Sequence, residues 1–366
     1  MNLAFDAVIA ADPETRLGLF TATAQGLGTT PRNVEKDFWV CWTLDALFNG
    51  RPADAPRLLF KGGTSLSKGY GLISRFSEDI DVTVFRDDLG APVEVAALEA
   101  MSGKARKARL EQIAAVGADY IRGAMREGLW TAIGDMAARA GLSPASFDLA
   151  VAADDPQTLL LRYPSVTPPD AYVLDQVKIE SGAKSALDPN AVRKIRPYVD
   201  AYAPDLDLSV AGVTTVDPER TFWDKVVIVH GLRRWYERRG VLRGEGNRIS
   251  RHYYDLYRLL ETKVGARALA DRALGADAIA HARMFFNRPD YDLATARAPT
   301  FAVAPTPEMI EPLRADFRLM APMLFGAAPA FEAVLAAVVD LERQLNAPGG
   351  NPQTAGERSR GAARPR

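Results

Sequence analysis

Cysteine is all but missing. Cys41 is the single one in 366 residues, so no disulfide closes within the chain and no cysteine-rich zinc site is available. Histidine is scarce too, with three scattered residues. Any bound metal should therefore be held by oxygen ligands, which favours magnesium or manganese over zinc. Neither sign of charge is in excess: 45 basic residues face 46 acids, for a net charge of −1. Contact with nucleic acid would have to come from a local basic patch rather than from the global field. No run of about eighteen apolar residues occurs. The opening MNLAFDAVIAADPETRLGLF lacks a basic flank ahead of a long apolar stretch, so a cytoplasmic location without a membrane partner is expected. What remains is an ordinary globular mixture, 48% apolar and 25% charged, long enough for two domains or one large domain with additions.

Residues 1–50 read as helical. In TTPRNVEKDFWVCWTLDALFNG the apolar Val34, Phe38, Cys41, Trp42 and Leu44 recur at roughly helical spacing, and Gly50 with Pro52 ends the run. RLLF (57–60) is a short strand broken by Gly62 and Gly63. TSLSKGYGLI then predicts a helix capped by Thr64 or Ser65. EDIDVTVF (78–85) alternates as a strand, and an alanine-rich, charged helical stretch runs on to about residue 141. SFDLAVAAD, TLLLRYPSV and YVLDQVKIESGAKS predict further strands, and after about residue 213 the pattern turns helical. From Asn346 the segment NAPGGNPQTAGERSRGAARPR has no apolar periodicity and predicts a disordered tail.

The stretch KGGTSLSKGYGLISRFSEDIDVTVF (61–85) carries the chemistry. Glycines lack a Cβ, so the backbone at Gly62 and Gly63 can approach a ligand closely, and Thr64 and Ser65 add hydroxyls. A triphosphate would suit this turn, although the Walker pattern GxxxxGK[ST] is absent. Residues i and i+2 of a strand share a face, so Asp79 and Asp81 project together, opposite Ile80, Val82 and Val84. Two carboxylates so placed repel each other unless a cation lies between them. Glu180, on a later strand beside Lys178, is the best candidate for a third. Residues 230–258 hold eight arginines against three acids, interleaved with tyrosines and a tryptophan, a composition that suits an RNA backbone or simply a solvated helix pair.

In this order, VEKDFWVCWTLDALF, FKGGTSLSKGYGLISRFSEDIDV, KIE, PERTFWDKVVIVH and RHYYDLYRL resemble the AbiEii/AbiGii-type toxin family, a branch of the nucleotidyltransferase superfamily that includes DNA polymerase beta. The resemblance spans about residues 30–290. It implies an α+β fold, in which a mixed β-sheet flanked by helices precedes a mostly helical C-terminal domain. The expected divisions are a nucleotidyltransferase domain at 1–210 with a helical N-terminal segment, a helical domain at 211–345 and a tail at 346–366. Gly62, Gly63, Thr64 and Ser65 would then sit at the phosphates of a nucleoside triphosphate. Asp79, Asp81 and Glu180 would hold magnesium or manganese, with Lys178 alongside. Lys225 in FWDKVV would contact phosphates from the helical half, and Asp255 in HYYDLY is a lesser member of the set. Where the family often has an acid this chain has His252, to which no role is assigned. The activity implied is transfer of a nucleotide to an acceptor such as tRNA or another RNA, by the toxin partner of a separately encoded antitoxin. A two-metal nuclease and a non-catalytic RNA- or partner-binding module are the competing readings.

Overall fold

Asp12 and Thr30 each precede a proline and turn their side-chain oxygens onto the first free N–H groups of a helix, which fixes where two of the N-terminal helices begin. The computed structural model describes residues 1–169, 173–246 and 248–347; most of the tail expected to be disordered lies outside the described residues. Helices α1 (Ala4–Ala10), α2 (Pro13–Leu27) and α3 (Pro31–Asn49) come first. From Arg32 to Leu47 every residue of α3 is buried, including the predicted Val34, Phe38, Cys41, Trp42 and Leu44. This helix therefore lies inside the molecule, beneath the sheet.

Strand β1 (Leu58–Lys61) runs directly into helix α4 (Gly62–Lys68), and strand β2 (Asp79–Val84) follows. The helix starts earlier than the sequence pattern predicts. Lys61 stands at its N-cap without a side-chain bond, and Thr64 and Ser65 lie inside the helix rather than capping it. The charged stretch that follows forms α5 (Val95–Ala100), α6 (Gly103–Tyr120) and α7 (Arg126–Arg139), with a wider turn at Ile121–Met125 joining the last two. Strands β3 (Asp148–Val151), β4 (Thr158–Arg162) and β5 (Gln176–Glu180) match the three expected from alternation. Two more, β6 (Asn190–Ile195) and β7 (Val210–Val216), were not anticipated, and β7 extends the sheet past residue 213, where the pattern had turned helical. The remainder is helical: α8 (Pro218–Arg239), α9 (Ser250–Leu260), α10 (Lys263–Ala270), α11 (Arg272–Phe285), α12 (Pro307–Met320) and α13 (Phe331–Asn346).

The seven strands form one mixed sheet in the order β3-β4-β5-β2-β1-β7-β6. At its centre β2 is antiparallel to β1 and parallel to β5. Ile80, Val82, Val177 and Ile179 point to one face and join α1, α2, α3 and α7 in a single apolar core. Asp79, Asp81, Lys178 and Glu180 therefore face the other way, as period two requires. A second core gathers Leu66, Ile73 and Phe76 with the apolar faces of α8 to α13. The segment between the glycine turn and the aspartates thus anchors the helical half to the sheet. Among the described residues, no helix is long and apolar enough to cross a membrane.

Candidate active site

Strand register puts the acids side by side. Asp81 pairs with Lys61 of β1 on one flank and with Glu180 of β5 on the other, while Asp79 pairs with Lys178. Adjacent strands are about 4.8 Å apart, so the three carboxylates occupy neighbouring places on one half-buried face. Burial comes first among the causes that push Asp79 up to about 6, followed by the negative charges of Glu78, Glu180 and Asp81. Each carboxylate leans on a cation. Asp81 lies 3.7 Å from the Lys61 ammonium, Glu180 is bonded to Lys178, and Asp79 lies 3.8 Å from the Arg248 guanidinium. The bond to Glu180 keeps the Lys178 ammonium above its usual range, although burial acts against it.

The glycine turn is shaped by its neighbours. Gly62 has a φ of +79°, and a Cβ there would meet Asp81 Oδ2 at 2.2 Å; a Cβ on Gly63 would meet Arg75 Nη2 at 2.4 Å. Each glycine thus makes room for a charged side chain from another segment. Thr64 and Ser65 are buried. The Thr64 hydroxyl is 2.7 Å from Ser77 Oγ and donates to the Asp79 carbonyl, and Ser65 Oγ donates to the Gly62 carbonyl at 2.8 Å. Their hydroxyls are engaged inside the protein and brace the turn against the aspartate strand.

Across from the sheet stands α8. Lys225 is buried with its ammonium 2.7 Å from Asp255 Oδ2, and Arg75 grips the same carboxylate through Nε at 2.8 Å and Nη2 at 2.9 Å. Burial alone would raise Asp255, but the two cations outweigh it and hold the carboxyl below the usual range. Burial pulls the Lys225 ammonium down, with Asp255 partly offsetting the fall. Burial also holds the half-buried His252 well below the ordinary imidazole range, helped by Lys225 and Arg251, so the ring is neutral at neutral pH. Between α8 and the sheet lies a cleft of about 490 Å³, lined by the glycine turn, the three acids, Lys225 and His252. Thr64, Ser65 and Lys178 do not line it.

The arginine-rich segment divides. Arg233 and Arg234 pair with Glu237, Arg238 donates to the Pro289 carbonyl, and Arg239 pairs with Asp290. Tyr253 and Tyr254 are core residues and present no ring face to solvent. Arg243 and Arg251 line the cleft. Sequence reasoning also missed Lys61, Arg75 and Arg248. The one available sign was a lone arginine inside the apolar LISRF, just before the acids.

The residue types fit a divalent cation, since the donors are hard carboxylate oxygens on adjacent strands and their mutual repulsion already disfavours ionisation of Asp79. Among the described residues, no three acidic, histidine or cysteine side chains are drawn together at ligand spacing. Each acid is turned toward its own cation instead.

The glycine turn that opens α4 and the paired acids of the central strand thus border one cleft with Lys225, Arg243 and Arg251. The family model described as nucleotidyl transferase AbiEii toxin, type IV toxin–antitoxin system, matches residues 45–337, and the chain belongs to that family. It is a nucleotidyltransferase, a class that takes a nucleoside triphosphate and in general a divalent metal, and its family implies an antitoxin partner. Among solved structures, it is similar to MenT4, a nucleotidyltransferase toxin of Mycobacterium tuberculosis H37Rv, at 15% identity and a TM-score of 0.48 over 90% of this chain and 89% of that one. No curated protein matches the chain.

Proposed function

We propose that the protein transfers a nucleoside monophosphate from a triphosphate to an RNA acceptor, tRNA foremost, and that this arrests growth when the antitoxin does not restrain it. One observation carries the reading: a row of three acids faces a cleft whose other lining includes Arg75, Lys225, Arg243, Arg251 and Arg288. Acids grouped on the sheet, with cations around the rest of a lining that also holds Lys61 and Asp224, suit a polyphosphate flanked by a second polyanion.

Asp79, Asp81 and Glu180 would hold magnesium or manganese. When bound, the ion would supply Lewis-acid chemistry, offsetting negative charge that develops in the transfer. Gly62 and Gly63 border the triphosphate, with Thr64 and Ser65 stiffening the turn from behind. Lys225 and Arg75 add positive charge at the floor while anchored on Asp255. An acceptor hydroxyl oxygen attacks the α-phosphorus in line, and its proton passes to a carboxylate of the row. The bond from the α-phosphorus to the bridging oxygen breaks, and pyrophosphate leaves. A triphosphate donor and a tRNA acceptor imply work in the cytoplasm. The sheet with its N-terminal helices would serve as the catalytic domain and the helical half as the opposing wall.

The test mixes purified protein, total tRNA, magnesium or manganese and each α-labelled triphosphate in turn. One label should become RNA-linked, and Asp79→Ala with Asp81→Ala should abolish both transfer and growth arrest. Transfer retained by that double variant would reject the site. RNA cleavage without any triphosphate would mark a nuclease instead.

A further inference from the structure

Arg248 sits in an unusual backbone conformation for a reason visible in its contacts. Its φ is +58°, in the left-handed region that side chains other than glycine, asparagine and aspartate rarely adopt. Asp316 of α12, itself buried, holds it there: Oδ1 accepts the Arg248 N–H at 2.8 Å and Oδ2 accepts the Ser250 N–H at 2.6 Å, at the start of α9. The result aims the guanidinium at the acid strand. Nη2 lies 3.0 Å from Glu78 Oε1, and Nη1 lies 3.8 Å from Asp79 Oδ2. Glu78 has a buried cation of its own, because Lys36 Nζ is 2.6 Å away. Glu78 thus has two cations, Lys36 and Arg248, and the longer reach of Arg248 to Asp79 adds a third cation to an acid row already flanked by Lys61 and Lys178. The arginine side chain is 41% exposed, and a cavity of about 30 Å³ lies beside it, bounded by Arg75, Ser77 and Met320. Neither apolar core includes Arg248.

We propose that Arg248 is a displaceable counter-charge for Asp79, seated on that carboxylate until a divalent cation competes for it, and that it sets the metal concentration at which the site loads. This rests on the reading of Asp79 as a metal ligand. A guanidinium and a metal ion cannot share one carboxylate edge without mutual repulsion, so loading must displace the arginine. Metal entry then requires both a free ion and a released side chain, which makes the affinity weaker than the acids alone would give.

The test titrates the nucleotide-free protein with manganese and follows the free ion by electron paramagnetic resonance. Arg248→Ala should lower the manganese Kd about tenfold, or about 1.4 kcal/mol. Arg248→Gln, which keeps the length of the side chain, should shift it the same way, and Arg248→Lys should fall between. Arg243→Ala serves as the control for general field, since Arg243 lines the same cleft but lies over the Tyr291 ring, and should stay near wild type. Thermal melts establish that each variant is folded. Unchanged or weaker binding in a folded Arg248→Ala or Arg248→Gln protein overturns the proposal, as does an equal gain from Arg243→Ala. Asp79→Asn separates the two levels of inference. If it leaves manganese binding intact, the metal reading itself fails; if it abolishes binding while the Arg248 variants do nothing, only the counter-charge fails.

Discussion

Replacing Asp79 with asparagine removes a charge that the metal-free fold disfavours. The carboxyl is pushed from 3.8 to about 6, so it binds its proton more tightly in the folded protein than in the unfolded chain. At about 1.36 kcal/mol per pH unit, ionising it in place costs about 3 kcal/mol. That cost is absent below pH 3.8, where the group is protonated in both states. It grows as pH rises and is complete above about 6, because a raised pKa contributes stability at low pH that is lost on passing through the folded value. Asparagine keeps the shape and never ionises. Asp79→Asn should therefore stabilise the metal-free protein at neutral pH by about 2–3 kcal/mol, a shift in melting midpoint on the order of 5 °C. The advantage should shrink steadily as the buffer is acidified toward pH 3.8. Paired melts of the two proteins across that range measure it directly, while transfer activity is lost throughout. A variant no more stable than wild type at neutral pH, or one whose advantage does not change with pH, would refute the reasoning.

Other substitutions report on separate parts of the site. Gly62→Ala forces a side chain into φ +79° and against Asp81 Oδ2, so about 1–3 kcal/mol of stability should go, together with nucleotide binding; urea titration and nucleotide binding measure the two. Asp255→Asn strips the shared partner from two buried cations, Arg75 and Lys225, and should cost about 3–5 kcal/mol by denaturant unfolding. Lys225→Met, by contrast, leaves Asp255 paired with Arg75 and should harm transfer more than stability. Charge reversal at Arg243 and Arg251 should weaken RNA binding in a salt-titrated filter assay. The same change at Arg238 and Arg239, already tied to Pro289 and Asp290, should matter much less.

Much of the centre of this protein was legible in its sequence because it obeys short-range rules. A period of two puts Asp79 and Asp81 on one face and Ile80 and Val82 on the other, and no partner strand is needed to see it. The buried helix at 31–49 announced itself by apolar spacing. Strand β6 did not, since it lies at the sheet edge and its NAVRKI is mostly half-buried or exposed, with no alternation to read. Strand β7 ends one residue before α8 begins, and its apolar residues merge into the helical pattern. The cations were invisible for another reason. Lys61 meets Asp81, Arg248 meets Asp79 and Arg75 meets Asp255 only through register or tertiary packing, across sequence separations that local pattern cannot span. The aromatic residues of 230–258 left two readings open, because composition alone does not distinguish an RNA-facing surface from Tyr253 and Tyr254 packed in a core.

Asp255 joins Arg75, next to the glycine turn, to Lys225 on α8, and all three side chains are almost wholly withdrawn from water. Such a cross-brace resists spreading, since pulling the two halves apart would strand unlike charges in a dry interior. The slot above it therefore keeps a fixed width at its base. On the proposed reading, an acceptor would have to reach the acids over this brace rather than by prising the two sides apart.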